Sequence, residues 1–496
     1  MSIDGTPVGQ ISRFFAIVST LKIPLGIFMR RKLSSYHEKF IMRISKKVPL
    51  ILFFCLLLFG QFSPVGLLAS DKNPASAPKD SSSQKKVYLE YADEVAGGEM
   101  IAPVARGEKG FLEPVRSAFG HVKFVETTTT VECDTATEFL TSRKIRLAGH
   151  VVIVRDTVIV KGDEGYYYPD ERHSELERNV SLYDKKVLLN SRHGEYFSDE
   201  QRGIFTEKVS LEDKKSTLFC DSLVYLRRQA HSTAVGNVRL LSHDDNSVIT
   251  GGYAEHFNQK MFSFIEESPV LTKLDTAKNG QVDTLLILAR RMEAYRNPRD
   301  SARRINLIDS VRIWRGHLVA KSKRAKYMID EKKIILTGKP IIWFENTEAT
   351  GDSIEVKLKK TNAGRVLVEK IFFYTDSFLA SKDSLGGALK KFNQLSGINM
   401  VMTFDDSLRL TRTDVYQQAR SLYYLYDKET PNGANYSSGD EINIFFEQNQ
   451  VARIKITGGV EGVQYPEQTV ITKDLNLPNF KWRASEKPVR PKITAF

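Results

Sequence analysis

Arg178-Asn179-Val180-Ser181-Leu182-Tyr183-Asp184 and, 29 residues later, Glu207-Lys208-Val209-Ser210-Leu211-Glu212-Asp213 are one phrase written twice. In both, apolar residues flank a serine, the period of two that turns one residue set inward and the other toward water on a β-strand. Working outward, the leading apolar position recurs at Val151, Val180, Val209, Val238, Val270, Val311 and Ile341, and the first three gaps are 29 residues each. A second strand in each of the first six units runs into a tyrosine, at Tyr166, Tyr196, Tyr225, Tyr253, Tyr295 and Tyr327. Such a period marks a stack of equivalent supersecondary units, none of which buries its apolar face alone. The expected fold is all-β: an elongated, solenoid-like stack of antiparallel strands with repeats of 29 residues.

Turns punctuate the stack. Gly149-His150, Arg178-Asn179, Glu207-Lys208 and Gly236-Asn237 read as turns entering a strand, and Asp184-Lys185-Lys186 and Asp213-Lys214-Lys215 as turns between strands. Longer gaps after Val238 place insertions at 275–281 and 297–300. The organisation expected is an N-terminal extension and signal over 1–70, and a flexible leader and loop over 71–118. A first β-stack follows over 119–345, then a second stack or continuation over 346–476, and a mobile tail over 477–496. In the second stack, Pro431-Asn432-Gly433 reads as a turn between strands and 385–395 as a short helix or irregular crossover.

The formal charge of +12 is unevenly placed. Nine Lys/Arg against Asp4 and Glu38 give residues 1–69 a charge of +7, leaving +5 for all the rest. That remainder is an ordinary solvated surface and not a nucleic-acid footprint. The basic head is a targeting pattern instead. Arg43, Lys46 and Lys47 precede an apolar run from Val48 to Phe59, and small residues follow up to Ala69 and Ser70, the layout of a secretory signal. The run is shorter than the ~20 residues of a membrane span. Met42 opens a complete signal of its own and is the expected start; an uncleaved signal anchor is the alternative. The exported chain then keeps Cys133 and Cys220, whose pairing sequence alone does not decide.

Catalytic signatures are missing. Asp156, Asp163, Asp184 and Asp213 occupy recurring turn slots, where Asp bonds its own backbone. His150, His173, His193, His231, His243, His256 and His317 show no metal-ligand spacing, and no Gly-x-Ser-x-Gly or phosphate-binding glycine loop is present. No cofactor, metal or enzyme activity is expected. Attention therefore falls on the inward apolar set: Val180, Leu182, Val209, Leu211, Val238, Leu240, Val311, Ile313, Ile341 and Trp343. These are candidates to line a lipid groove. The recurring tyrosines read either as a ladder stacking on its own copies or as a groove rim, ring on lipid and hydroxyl in water.

Gly236-Asn237-Val238 with Tyr253 downstream, repeated along the array, resembles the organic-solvent-tolerance (OstA-like) family of lipopolysaccharide-transport proteins. Phe392-Asn393-Gln394-Leu395-Ser396-Gly397-Ile398-Asn399-Met400, followed by Ala419-Arg420-Ser421-Leu422-Tyr423-Tyr424, is similar to the later part of long members from Bacteroidetes and Chlorobi relatives. The resemblance covers residues 120–470. It implies a folded-over β-jelly-roll open along one side, acyl chains inside and sugar headgroup outside. It also implies a periplasmic location and strand pairing, head to tail, with other jelly-roll transport components or further copies. The chain departs from the family in outlasting its small bridge members and in ending without the strand series of a membrane barrel.

Together these readings point to a periplasmic carrier or bridge that binds lipopolysaccharide, or a similarly acylated lipid, on its way to the outer membrane. A structural or adhesive β-solenoid with a closed core is the alternative, and a polysaccharide-active β-helix enzyme the third reading. The first requires a groove unsealed down its length.

Overall fold

The computed structural model describes residues 87–102, 110–185, 187–243, 246–276, 282–297, 299–361, 366–383, 391–428, 430–447 and 450–492. All fall in one compact unit, Pro49–Phe496. The expected signal, the start at Met42 and the leader up to residue 86 lie outside the described residues.

Alternation of apolar and polar residues produces strand after strand. These are β1 Tyr88–Tyr91, β2 Glu94–Ile101, β3 Leu112–Glu126, β4 Thr129–Phe139, β5 Lys144–Arg155 and β6 Val158–Tyr168. Then come β7 His173–Tyr183, β8 Leu188–Phe197, β9 Arg202–Glu212, β10 Ser216–Leu226, β11 His231–Ser242 and β12 Ser247–Phe257. Further strands complete a 28-stranded antiparallel sheet ending at Glu461–Tyr465. Sequence neighbours pair, as at Ile153↔Val160 and Val160↔Leu182.

Three expectations change. The segment 71–118, read as leader and loop, contains β1 and β2, both paired along β3, and β3 itself begins at Leu112, before the expected start of the stack at 119. Ile341–Phe344 pairs with Thr347–Thr350 in the same sheet, so the stack continues through 345–346. Pro431-Asn432-Gly433 lies inside the strand Thr430–Glu447, and the chain reverses before it, next to a left-handed Lys428.

A fourth change shapes the whole fold. Gly149-His150 and its equivalents do not begin strands; each is a corner in the middle of a long one. Both residues have positive φ, 76° and 45° at Gly149-His150 and 62° and 57° at Glu207-Lys208. Ala148↔Glu164 and Val151↔Gly162 bracket the corner, so β5 carries one residue more than β6, a bulge that bends the strand. Eleven such pairs occur among the described residues. A carboxylate often faces the corner. Asp134 Oδ2 lies 2.8 Å from His150 Nδ1, and Asp163 and Asp221 accept from Asn179 and Asn237 Nδ2 at 2.8 Å. Glycine is favoured at 149, because a Cβ there would lie 2.1 Å from the Asp134 carboxylate, which would have to shift.

Every bent strand has two arms, and the arm ends form two rows of turns. One row holds residues 127–128, 156–157, 184–185 and 187; the other holds 140–143, 169–172, 198–201 and 227–230. Arg172 of the second row donates to Glu126 beside the first, and Arg227 of the second to Thr157 of the first. The arms therefore fold over each other into a jelly-roll, with corners along one side and a seam along the other. One apolar core runs between them, from Ala118 and Phe124 through Val180, Leu211 and Val311 to Met400 and Ile442.

The segment from Leu477, expected to be mobile, is packed. After α1, Glu467–Thr472, the chain crosses the face opposite the core. Leu395 points into the core, while its neighbour Gln394 holds Asn476 at 2.6 Å and the Leu477 amide at 2.8 Å. Trp482 then packs against Phe392, ring centroids 4.7 Å apart and tilted by 41°, the Arg483 amide donates to Glu348, and Trp314 Nε1 donates to the Pro488 carbonyl. The tail is a strap over the second half of the sheet.

Candidate functional site

The groove candidates divide between two faces. Val180, Leu182, Val209, Leu211, Val238, Leu240, Val311 and Ile313 all join the continuous core, each 1–5% exposed. Ile341 and Trp343 do not. They pack with Leu286, Trp314 and Val319 on the strap side, and Ile342 takes the inward position. All three residues at 341–343 are apolar, so alternation alone did not set their parity; the corner at 338–339 did.

The tyrosines divide likewise. Tyr196, Tyr225 and Tyr327 are buried, whereas Tyr166, Tyr253 and Tyr295 are half-buried. The inward rung position that Tyr196 and Tyr225 hold is taken in β6 by Tyr167, 29 residues earlier, and in β12 by His256. Tyr166 points the other way, under the Lys144 ammonium at 5.6 Å.

The groove expected to be open along its length is instead shut along its seam. Glu126, 3% exposed, takes the Tyr167 hydroxyl and, at 3.2 Å, Arg172 Nε. Burial and this carboxylate both raise the Tyr167 pKa. Arg172 also reaches Asp199 at 3.0 Å, and these bonds raise the guanidinium pKa further. Across the rows, Arg155 Nη1 lies 3.6 Å from Asp199, and Arg227 Nε 3.5 Å from Asp184. Thr157 donates to Asp184 at 3.0 Å and accepts from Arg227 Nη2 at 3.1 Å. Further along, buried Arg315 joins Asp275, Asp283 and the Val366 carbonyl, and Phe344 meets Phe404 edge-on at 5.4 Å. Each of these closures needs at least one side chain, and no strand pairing is among them.

The seam is open at the N-terminal end. There an opening of about 670 Å³ reaches core residues Ala118, Phe124, Ala136 and Ile145, with Arg116 and Arg143 on its rim. Its volume is in the range of ligand sites, roughly 300–1,000 Å³. Tyr88, Leu89 and Val95 beside it are 62%, 49% and 58% exposed.

Residues 84–205 match the family model described as OstA-like protein. The chain carries an OstA-like domain. Among solved structures it is similar to LptH, the LptA-homologous periplasmic component of the conserved lipopolysaccharide transport device from Pseudomonas aeruginosa. Identity is 12%, the TM-score 0.23, and the match covers 30% of this chain and 95% of that one. No curated protein matches.

The OstA-like domain runs from before β1 into β9. It thus contains the N-terminal opening and the seam residues Glu126, Arg155, Arg172, Asp184 and Asp199. Cys133 lies within it and Cys220 beyond. Both are free, on equivalent positions of β4 and β10, six strands apart, which is about 29 Å at the usual strand spacing and far outside disulfide reach. Burial pushes both thiols up to about 12.

Among the described residues, Glu175, Glu177 and His193 are the one group with metal-ligand spacing. His193 there already meets Glu177 at 3.3 Å and Glu195 at 3.4 Å, so both ring nitrogens have protein partners. A polar cleft of about 850 Å³ near the strap contains Asp309, Asp352 and Asp376 with Arg290, Lys321 and Arg483. Asp309 and Asp376 are themselves left-handed corner residues, so backbone geometry accounts for them.

Proposed function

We propose that the chain is a periplasmic carrier or bridge for lipopolysaccharide or a similarly acylated lipid, without an enzymatic step. It would hold acyl chains between the arms of β3–β12. One observation carries this reading: a single apolar core begins at an open mouth and runs along a jelly-roll whose long side is closed through side chains and not by strand pairing. Each buried CH₂ contributes roughly 0.8 kcal/mol, so a trough of this kind holds a multi-acyl lipid without any catalytic group. Separating the arms breaks ion pairs and hydrogen bonds but leaves every strand ladder intact.

The sheet edges suit the bridge role. β1 and β2 at one end, and Gln450–Thr457 with Glu461–Tyr465 at the other, pair on one side only, so each offers main-chain groups to another jelly-roll component or a second copy. Export through the signal starting at Met42 supplies the compartment.

A photo-crosslinker placed at Leu182, Leu211 or Leu240 tests the groove. Labelling of acylated lipid supports it. Labelling of neighbouring rungs alone makes the core a permanent filling, and the chain a structural or adhesive β-solenoid. The burial of all eight inward candidates is the observation that favours that second reading.

A further inference from the structure

Three arginines meet at the seam of the first half, and their geometry is not that of a simple clasp. Arg172 and Asp199 belong to the same row of turns and bond at 3.0 Å, so that pair survives if the rows part. Arg155 and Arg227 belong to opposite rows, and each finds its carboxylate across the seam, Asp199 at 3.6 Å and Asp184 at 3.5 Å. Burial raises the pKa of the neighbouring Tyr196, and the charges of Arg227 and Arg155 both act against that rise. Nη1 of Arg155 is shut away from water without any hydrogen bond, an unusual state for a donor. The closed seam therefore leaves one arginine under-satisfied and holds a second through a contact that opening would break.

We propose that Arg155 and Arg227 form a two-sided anion site, seating a phosphate or carboxylate on the headgroup of an amphiphile whose chains lie between the arms. This rests on the groove reading above. Opening the seam by a few ångströms takes Asp199 and Asp184 away from Arg155 and Arg227 with their own rows. A bridging anion then replaces both carboxylates and ties the rows together at a wider spacing. Guanidinium suits this task because its planar fork binds tetrahedral and carboxylate oxygens bidentately. Thr157 and Tyr196 add hydroxyls for neutral oxygens of the same headgroup. Below them the ligand meets Val180 and Leu182, so charge and grease are arranged in the order an acylated anion presents them.

The test uses the full exported chain and three probes: an acylated glucosamine disaccharide with two phosphates, its dephosphorylated counterpart, and inorganic phosphate. The wild type is expected to bind the phosphorylated lipid about tenfold or more tighter than the dephosphorylated one. In the double variant R155Q/R227Q the two lipids bind alike, whatever the loosened seam does to the affinity of both; in R155K/R227K much of the preference returns. Equal wild-type binding of both lipids, or a preference that survives in R155Q/R227Q, overturns the site. Inorganic phosphate binding as tightly as the phosphorylated lipid reduces it to a free-ion site and overturns the headgroup assignment. Failure of the wild type to bind either lipid sinks the groove reading, and the site with it. Thermal unfolding of the variants shows that the fold persists, and Asp199, 50% exposed, tolerates loss of its partner.

Discussion

Arg227 Nη2 donates to Thr157 Oγ1 across 3.1 Å, although 70 residues and five strands separate them along the sheet. Only a sheet folded over its own corners brings these two turns together. Arg227→Ala should therefore loosen the seam without melting the strands. Removing it strips the half-buried Asp184 of its cation, at a cost of about 1–3 kcal/mol. Hydrogen exchange checks this: amides at 155–158, 184–185 and 187–188 should exchange faster, while those at the 149–150 corner stay protected. Uniform acceleration would mean that the seam is not a separate closure.

The corners have a test of their own. Gly149 and Gly316 both have positive φ, 76° and 54°, but a Cβ meets the Asp134 carboxylate at 149 and open space at 316. Gly316→Ala should cost only the left-handed penalty, roughly 1–2 kcal/mol. Gly149→Ala should cost more, and Asp134→Ala should recover part of the excess in a double-mutant cycle of urea midpoints. Equal costs at both sites would remove the carboxylate from the account.

Much of this architecture was legible because the repeat is strict. The 29-residue spacing of Val151, Val180, Val209 and Val238 gave the strand pairs and the inward face, and those residues all lie in the core. Parity failed where composition stopped alternating. At Ile341-Ile342-Trp343 every residue is apolar, and Tyr166-Tyr167-Tyr168 offered three tyrosines for one inward place. The corners carried a partial signal, glycine or asparagine at Gly149, Asn179 and Gly236, but Glu207-Lys208 adopts the same conformation with no residue that announces it. The seam was hidden for another reason. Its partners lie up to 70 residues apart, and only the same-row pairs, Arg143–Asp170 and Arg172–Asp199, repeat at the 29-residue period. The strap reads as a polar, proline-bearing tail, and nothing in its composition shows the apolar outer face that it covers.

His256 should make stability depend on pH. Burial, and then the neighbouring His231, lower its pKa from 6.5 to about 4, and its Nδ1 lies 2.8 Å from Ser263 Oγ. The folded-state pKa is below the unfolded one, so the unfolded chain takes the proton first. The contribution is complete above about pH 6.5 and is lost as pH falls toward 4, by roughly 3 kcal/mol. Urea midpoints between pH 7 and 4 should show that slope, and His256→Leu should flatten it. An unchanged slope in the variant would place the titrating group elsewhere.

Cys133 and Cys220 should behave as buried, separate thiols. Burial raises each to about 12, and the thiolate is the reactive form. A thiol reagent at neutral pH should leave both unmodified in the folded chain and titrate both in denaturant. Oxidising export should not change the mobility of the unfolded chain against a reduced sample, since the two sulfurs stand six strands apart. A native disulfide between them would require a different strand order.

The strap gives the last test. The chain has three tryptophans, and two of them, Trp314 and Trp343, are 2% exposed beneath it. Trp314 donates to the Pro488 carbonyl, and Trp343 to Glu348, whose carboxylate also accepts the Arg483 amide. Burial raises the Glu348 pKa, so the Arg483 and Trp343 donors are what make its charge tolerable there. Deleting the chain from Leu477 onward removes Trp482 together with the cover. The emission of the remaining two tryptophans should then shift to longer wavelength and become accessible to acrylamide, while the far-ultraviolet spectrum of the sheet is kept. The uncovered face, with Leu286, Val319 and Ile341 in one apolar patch, should also make the truncated chain associate at concentrations where the full chain does not. Emission that stays blue in the truncated chain would show that the sheet closes that face without the strap.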